Sequence, residues 1–414
     1  MQQGCRLEAL GIVNALGRGC EAVWRRAAAG EASALRLRED MPRTRPMFLG
    51  AVEAELPKIP GHLADYDCRN NAFTLAALEE IEAPLRAAIG LYGADRIGVV
   101  MGTSTSGSAE CEAAIAQAAV SGELTRSFRY PQLELGGTAG FVAAALELGG
   151  PSLTLSTACS SSARSFATAR SLLRLGLCDA VVAGGSDSLC GLTMNGFASL
   201  QAISDRPCNP MSRNRSGLTR GEGAAVFLVP RERGGIQLAG VGETSEAHHM
   251  SAPDPDGTGA IESMRGALAD AGLAASDIAY LNLHGTATQL NDAMESLAVL
   301  RVLGDAVPCS STKPMVGHTL GAAGATELAF CWLALAHRDG DAIPLPPHVF
   351  DGERDPELAP IRLALPSSDG TTRVEAPAPA ALMTNSFGFG GNNCTLVVRE
   401  DGDDAGRAPT RGGA

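Results

Sequence analysis

Two patterns of apolar and polar positions alternate along this 414-residue chain. Short apolar runs of strand length end in loops rich in Gly, Ser and Thr. The loops open longer segments whose apolar residues recur at helical spacing. In the first half the pattern predicts a strand at 96–101, a Gly/Ser/Thr loop at 102–108 and a helix at 109–120. Helix 139–148, strand 152–157 and helix 161–175 follow, the last closed by Gly176. Strand 180–183 then runs into Gly-Gly-Ser-Asp, and a long polar connection, 204–222, leads to strand 224–229. The second half predicts strands at 236–241, 279–283, 307–311, 381–384 and 394–399, with helices at 261–271, 293–303 and 320–336. Strands alternating with helices mean an α/β fold. The break at 232–235 divides it into 1–234 and 235–400, with a Gly/Asp/Arg-rich tail at 401–414 expected to be disordered. Ligands of such folds sit beyond the carboxyl ends of strands. Cys159, His284 and the loop to His318 all come from such ends.

Composition narrows the setting. The chain is 45% apolar and 4% aromatic, with no stretch near ~18 uninterrupted apolar residues and no charged leader before an apolar core. A membrane span and a signal peptide are therefore not expected. The 11 cysteines are scattered without a C-x-x-C pair, against a zinc site or a disulfide framework and in keeping with a reducing, cytoplasmic setting. A net charge of −13 disfavours nucleic acid. Of 33 basic residues only Lys58 and Lys313 are lysines. Arg does not replace Lys where a compact ammonium is needed, so Lys313 either has such a task or survives by chance.

Cys159, in Thr-Ala-Cys-Ser-Ser, stands at a strand-to-helix turn. There the free N–H groups and the helix dipole favour a thiolate, the form that acts as a nucleophile. The competing reading is a small buried cysteine. His284, in His-Gly-Thr-Ala-Thr, lies just past a buried strand, and His318 opens a small-residue helix. Either would be structural alone; two imidazoles with an elbow cysteine suggest a thiol enzyme. His248 and His249 are adjacent, face different ways, and read as ordinary polar residues. Asp292 and Glu295 are helix N-terminal charges, or partners that hold the histidines with Lys313. Phe387-Gly-Phe389-Gly-Gly is a glycine-rich tip suited to bringing backbone N–H groups to a ligand, or a plain turn.

Taken together, Thr157-Ala-Cys-Ser-Ser, His284-Gly-Thr-Ala-Thr, Lys313-Pro-Met-Val-Gly-His318 and Asn385-Ser-Phe-Gly-Phe-Gly-Gly resemble the β-ketoacyl-acyl-carrier-protein synthases, from Gly11 to Val398. The resemblance implies a thiolase fold: two similar halves in five αβαβα layers, a homodimer or a heterodimer with a chain-length-factor-like subunit. It implies an acyltransferase that condenses an acyl chain on Cys159 with malonyl-carrier to give 3-oxoacyl-carrier, CO2 and free carrier. His284 and His318 would assist decarboxylation and stabilise the enolate. The N–H groups of Cys159 and Phe389 would form an oxyanion hole, with Phe389 also gating the acyl pocket. Thr286 and Thr288 would bind phosphopantetheine, and Lys313 and Glu295 would support the histidines as an ion pair. No permanently bound cofactor or metal is expected, since malonyl decarboxylation drives the condensation. The substrates ride on an acyl carrier protein.

Asn392, where the family usually has Thr, and the Ser/Thr-rich loop Gly102-Thr-Ser-Thr-Ser-Gly depart from the pattern, and suggest a polyene or aryl-polyene-type pathway rather than saturated fatty acids. Two alternatives remain: a non-catalytic chain-length-factor-like partner, which would lack the Cys, and a thiolase-like acyltransferase, which would use a second Cys near Cys394. An acidic carrier needs a basic patch on this acidic chain; Arg206, Arg213 and Arg215 are the candidates, Arg69 and Arg129 weaker ones.

Overall fold

The computed structural model describes residues 5–39, 46–125 and 128–402, so the tail from 403 lies outside the described residues. Two sheets organise the molecule. The first has six strands, ordered Gly17–Arg18, Ala9–Asn14, Gly223–Pro230, Ala180–Asp187, Ile97–Gly102, Ser152–Leu155. The second has five, ordered Ile236–Ser245, Asn392–Glu400, Ala381–Gly388, Ile278–Asn282, Cys309–Ser310. Without the short hairpin strand Gly17–Arg18, the two sheets have one topology. Numbered along the chain within each half, both run 1-5-4-2-3, with two antiparallel pairings followed by two parallel ones. The halves share no sharp sequence repeat, yet the same arrangement is made twice.

Helices Ser161–Arg174 and Ala323–Ala336 pack on each other and on strands of both sheets, forming a middle layer. Arg69–Glu80 and Gly137–Ala145 cover the outer face of the first sheet, and Thr258–Ala271 and Gln289–Leu303 that of the second. The result is the five-layered α/β arrangement. Because both faces are covered, the inner strands lose their alternation. Ile97–Gly102, Ala180–Asp187, Gly223–Pro230 and Ala381–Gly388 are buried at every position. Phe166, Phe227, Tyr280 and Leu328 belong to one core that fills the space between the sheets.

Most elements lie within a few residues of their predicted limits. Gly176 takes φ +69° after helix Ser161–Arg174, a left-handed stop that Gly adopts without strain. Strand Ala180–Asp187 continues past the expected end at 183 through Gly-Gly-Ser-Asp, because all four residues pair with 223–226 of the neighbouring strand. The polar connection 204–222 contributes Arg220–Gly221 to a small sheet with Arg36–Arg38 and Met47–Gly50.

Candidate active site

Cys159 sits in a turn built by hydroxyls. Ala158 takes φ +55°, a conformation costing about 1 kcal/mol for a residue with a Cβ. Ser160 Oγ donates to the Thr157 carbonyl (2.9 Å) and Ser161 Oγ to the Ala158 carbonyl (2.6 Å), while Thr157 N–H donates to Ser161 Oγ (2.9 Å). From the other half, Gly388 closes on this turn: a Cβ there would lie 2.9 Å from the Thr157 carbonyl oxygen and 3.3 Å from Cys159 N. The thiol is 4% exposed. Burial pushes it up to about 11, against the lowering effects of Lys313, Arg220 and the Phe389 N–H. The expected easy loss of its proton at a helix N-terminus is thus overturned: the dry surroundings outweigh the helix end, and the resting group is the thiol.

His318 Nε2 is 3.0 Å from Cys159 Sγ, and the rings of His284 and His318 meet edge to face with centroids 5.3 Å apart. One ligand-type atom from each of Cys159, His284 and His318 lies within 4.8 Å of the others. Burial, with the Lys313 charge next, holds both imidazoles well below their ordinary 6.5. Both are therefore neutral. Lys313 also settles the tautomer of His284. Its ammonium, a donor only, lies 3.4 Å from His284 Nδ1, which must accept; the proton is then on Nε2. His318 Nδ1 is buried without a partner, so no neighbour fixes its tautomer.

The acids stand apart from their expected pairing. Lys313 Nζ bonds Glu327 and the His284 carbonyl, so its ion-pair partner is Glu327, not Glu295. Glu295 braces the loop instead, accepting the N–H groups of His284 and Gly285 at 2.7 Å each. Asp292 accepts Ala287 N–H (3.1 Å) and Met211 N–H (2.8 Å), tying the 204–222 connection to the His284 loop. Glu327 escaped the sequence analysis, although it is the only charged residue of Ala323–Ala336 and an acid alone in an apolar helix calls for a buried cation. Asp187 escaped too. Its buried carboxylate accepts from the hydroxyls of Thr103 (2.7 Å) and Thr105 (2.8 Å) and from the N–H groups of Ser104 (2.8 Å) and Thr105 (2.8 Å). It also takes Gly321 N–H, so one carboxylate joins the 102–108 loop to the start of the helix after His318.

A cavity of about 290 Å3 opens above the triad. Thr286 and Thr288 line it, their hydroxyls 2.9 Å apart, as do Phe389, Phe387 and Phe197. Phe197 and Phe389 touch, with centroids 5.4 Å apart. Asn392 donates to the Phe389 carbonyl (3.4 Å). Cys394 lies inside strand Asn392–Glu400, fully buried and away from the cavity lining, so it supplies no second thiol.

The candidate docking arginines differ in their surroundings. Arg206 is exposed. Arg213 is exposed but paired with Glu353. Arg215 is buried, bonded to Asp355 and 3.9 Å from Asp292, and so is withdrawn as a docking residue; a charge that locks the connection down cannot also face a partner. Arg69 is held by Glu222 and Arg129 lies 3.4 Å from Asp65. Among the described residues, no helix is long and apolar enough to cross a membrane.

Comparison with known proteins bears on this site. Residues 72–234 match the family model "Beta-ketoacyl synthase, N-terminal domain", and 236–344 match "Beta-ketoacyl synthase, C-terminal domain". The 3-oxoacyl-[acyl-carrier-protein] synthase 2 of Rhizobium meliloti (strain 1021) is 36% identical over 287 residues, 63% of each chain, so this chain spans just under two thirds of that relative. The enzyme of that name from Staphylococcus aureus (strain COL) is 31% identical over 351 residues, 80% of this chain and 82% of the relative. Among solved structures, the ketosynthase ApeO in complex with its chain length factor ApeC, from Xenorhabdus doucetiae, aligns with TM-score 0.89 and 40% identity over 96% of this chain and 98% of that one.

Proposed function

This chain belongs to the β-ketoacyl synthase family and is a condensing acyltransferase, and we propose that Cys159 carries the acyl chain while His284 and His318 act on the malonyl partner. The observation that carries this reading is the convergence of Cys159, His284 and His318 within 4.8 Å beneath one cavity. Cys159 attacks the incoming thioester as its proton passes to His318 Nε2, 3.0 Å away, and on to the departing carrier thiol. The Cys159 and Phe389 N–H groups receive the oxyanion. Malonyl-carrier then places its thioester oxygen against His284 Nε2–H, and His318, whose tautomer no neighbour fixes, donates beside it once its proton has returned to Nε2, so that two neutral imidazoles face the oxygen. In a dry pocket these stabilise the enolate left when CO2 departs. The enolate carbon attacks the acyl–Cys159 carbonyl and expels the thiolate. Lys313 holds His284 in the donor tautomer needed for this, with Glu327 as its counter-ion.

The chemistry calls for no bound cofactor, because decarboxylation drives the carbon–carbon bond. Thr286 and Thr288 suit the phosphopantetheine arm, and Phe389, packed on Phe197, suits a gate to the acyl pocket. The same reading divides the chain into a nucleophile half, 1–234, and a histidine half, 235–400, each with the 1-5-4-2-3 sheet. The acyl donor and acceptor are carrier-bound, and the second subunit is a copy of this chain or a chain length factor, as in the complex of ApeO with ApeC. The complete triad favours the active subunit over the chain-length-factor role. A cytoplasmic location and a polyene-type pathway complete the proposal. Intact mass after incubation with acyl-carriers tests it: the wild-type chain gains the acyl mass, Cys159→Ala gains none, and an adduct on Cys159→Ala sinks the assignment.

A further inference from the structure

Arg220 has no part in the mechanism above, and its surroundings are unusual. Its side chain is wholly buried, 0% exposed, and no carboxylate among the described residues lies within ion-pair distance. Nη1 donates to the His318 carbonyl; Nη2 is 3.4 Å from Thr193 Oγ1; Nε has no partner. The guanidinium lies over the ring of Phe197, 5.9 Å from its centroid, and Phe197 packs on Phe389. Its backbone brackets His318 as well: Thr219 O accepts His318 N–H (2.7 Å) and Gly221 N–H donates to His318 O (2.9 Å).

A buried guanidinium without a counter-ion is costly, and natural chains seldom keep one without use. Two cations favour an anion on Cys159, Lys313 and Arg220. Glu327 neutralises Lys313 directly, whereas nothing bonded to Arg220 carries a negative charge. Around Cys159 the charged and titratable groups are His318, His284, Lys313, Arg220 and Glu327. Around Arg220 they are Cys190, Asp187, Cys159 and Glu222. Asp187 spends its hydrogen-bond capacity on five neutral donors from the 102–108 loop and Gly321, and Glu222 pairs with Arg69, so neither carboxylate is bonded to the guanidinium.

We propose that Arg220 is a positioning residue of the condensation: it anchors the main chain of His318, whose ring contacts Cys159, and supplies a buried positive charge with no bonded carboxylate that steadies the Cys159 thiolate. This rests on Cys159 being the nucleophile. No carboxylate is bonded to the guanidinium, so a charge arising on Cys159 or on an oxyanion beside it adds to the attraction Arg220 already has for Asp187 and Glu222, and the guanidinium favours those states over the resting thiol. Through Phe197 it also stiffens the Phe389 wall of the cavity.

The test is the pH dependence of Cys159 alkylation by iodoacetamide, followed by intact mass and peptide mapping, in wild type, Arg220→Met and Arg220→Lys. Arg220→Met should alkylate about tenfold more slowly at mildly alkaline pH, with its profile displaced to higher pH. Arg220→Lys keeps the charge and should restore the profile, while kcat for condensation remains reduced because the His318 anchor is altered. An unchanged profile in Arg220→Met overturns the proposal. If Arg220→Met does not fold, by circular dichroism, Arg220→Lys decides: a wild-type profile with lowered kcat supports it, and a displaced profile overturns it. Alkylation needs no acyl transfer. A wild-type chain that takes no acyl group from a carrier would therefore refute the reading of Cys159 separately.

Discussion

Replacing Lys313 by Met removes the ammonium that joins Glu327, the His284 carbonyl and His284 Nδ1. Glu327 is then stranded. One of its carboxylate oxygens already lacks a partner, and the other loses its only one. Burial raises this carboxyl from 4.5 to about 7 even with Lys313 beside it, so without Lys313 it folds as the neutral acid. The unfolded chain still ionises it near 4.5. Keeping it protonated costs about 1.4 kcal/mol for each pH step above that value; wild type carries the same cost up to about pH 7, so the variant's own loss opens above that and reaches about 3 kcal/mol at about pH 9. The same size is expected from breaking a buried ion pair, about 3–5 kcal/mol. The sign follows from linkage: a raised folded pKa gives stability that is full below the unfolded value and lost as pH rises through the folded one. Lys313→Met should therefore be near wild type in urea at mildly acidic pH and lose several kcal/mol at alkaline pH. Adding Glu327→Gln removes the stranded charge and should restore most of the alkaline loss.

Activity separates structure from chemistry in this series. Without the ammonium, nothing holds His284 in the tautomer that presents Nε2–H, so decarboxylation should fall about a hundredfold in both the single and the double variant. Release of CO2 from malonyl-carrier measures it, and urea unfolding across pH measures stability. Recovery of activity in the double variant would reduce Lys313 to a structural role. A stability loss independent of pH would refute the charge argument.

Arg206→Glu should raise KM for carrier-bound substrate severalfold with little change in kcat; an unchanged KM removes this exposed residue from the carrier surface. Since His284 and His318 are held well below 6.5, the acid limb of decarboxylation should fall well below that pH, and a limb centred near it would mean solvated imidazoles. Their depressed values also contribute stability that is present above about 6.5 and lost on acidification. Gly102→Ala would bring a Cβ to 2.3 Å from Ser162 N, where only backbone can yield, and should cost about 3 kcal/mol in urea unfolding; a neutral result would refute the close packing of strand on helix.

Local signals in this chain reported local structure well, and failed where the fold joins distant segments. Cys159 was readable because its strand, turn and helix are contiguous. The Lys313 partner was not, because Glu295 and Glu327 both fall within helical reach of the site in sequence, and only the packing of Ala323–Ala336 between the sheets selects Glu327. Arg215 reads as a surface charge in a polar stretch, yet Asp355, far along the chain, draws it inside. The acidity of Cys159 departs from the local expectation for a related reason. A helix N-terminus is a local favour to the thiolate, whereas desolvation is set by the whole second half closing over the turn, with Gly388 at contact distance. That closure explains why a duplicated fold works here. Each half alone offers its strand ends to water. Joined, they put the Cys159 thiol from one half and two neutral imidazoles from the other into one dry site, which under the proposed mechanism keeps the thiol protonated until a thioester arrives and shields an enolate from solvent.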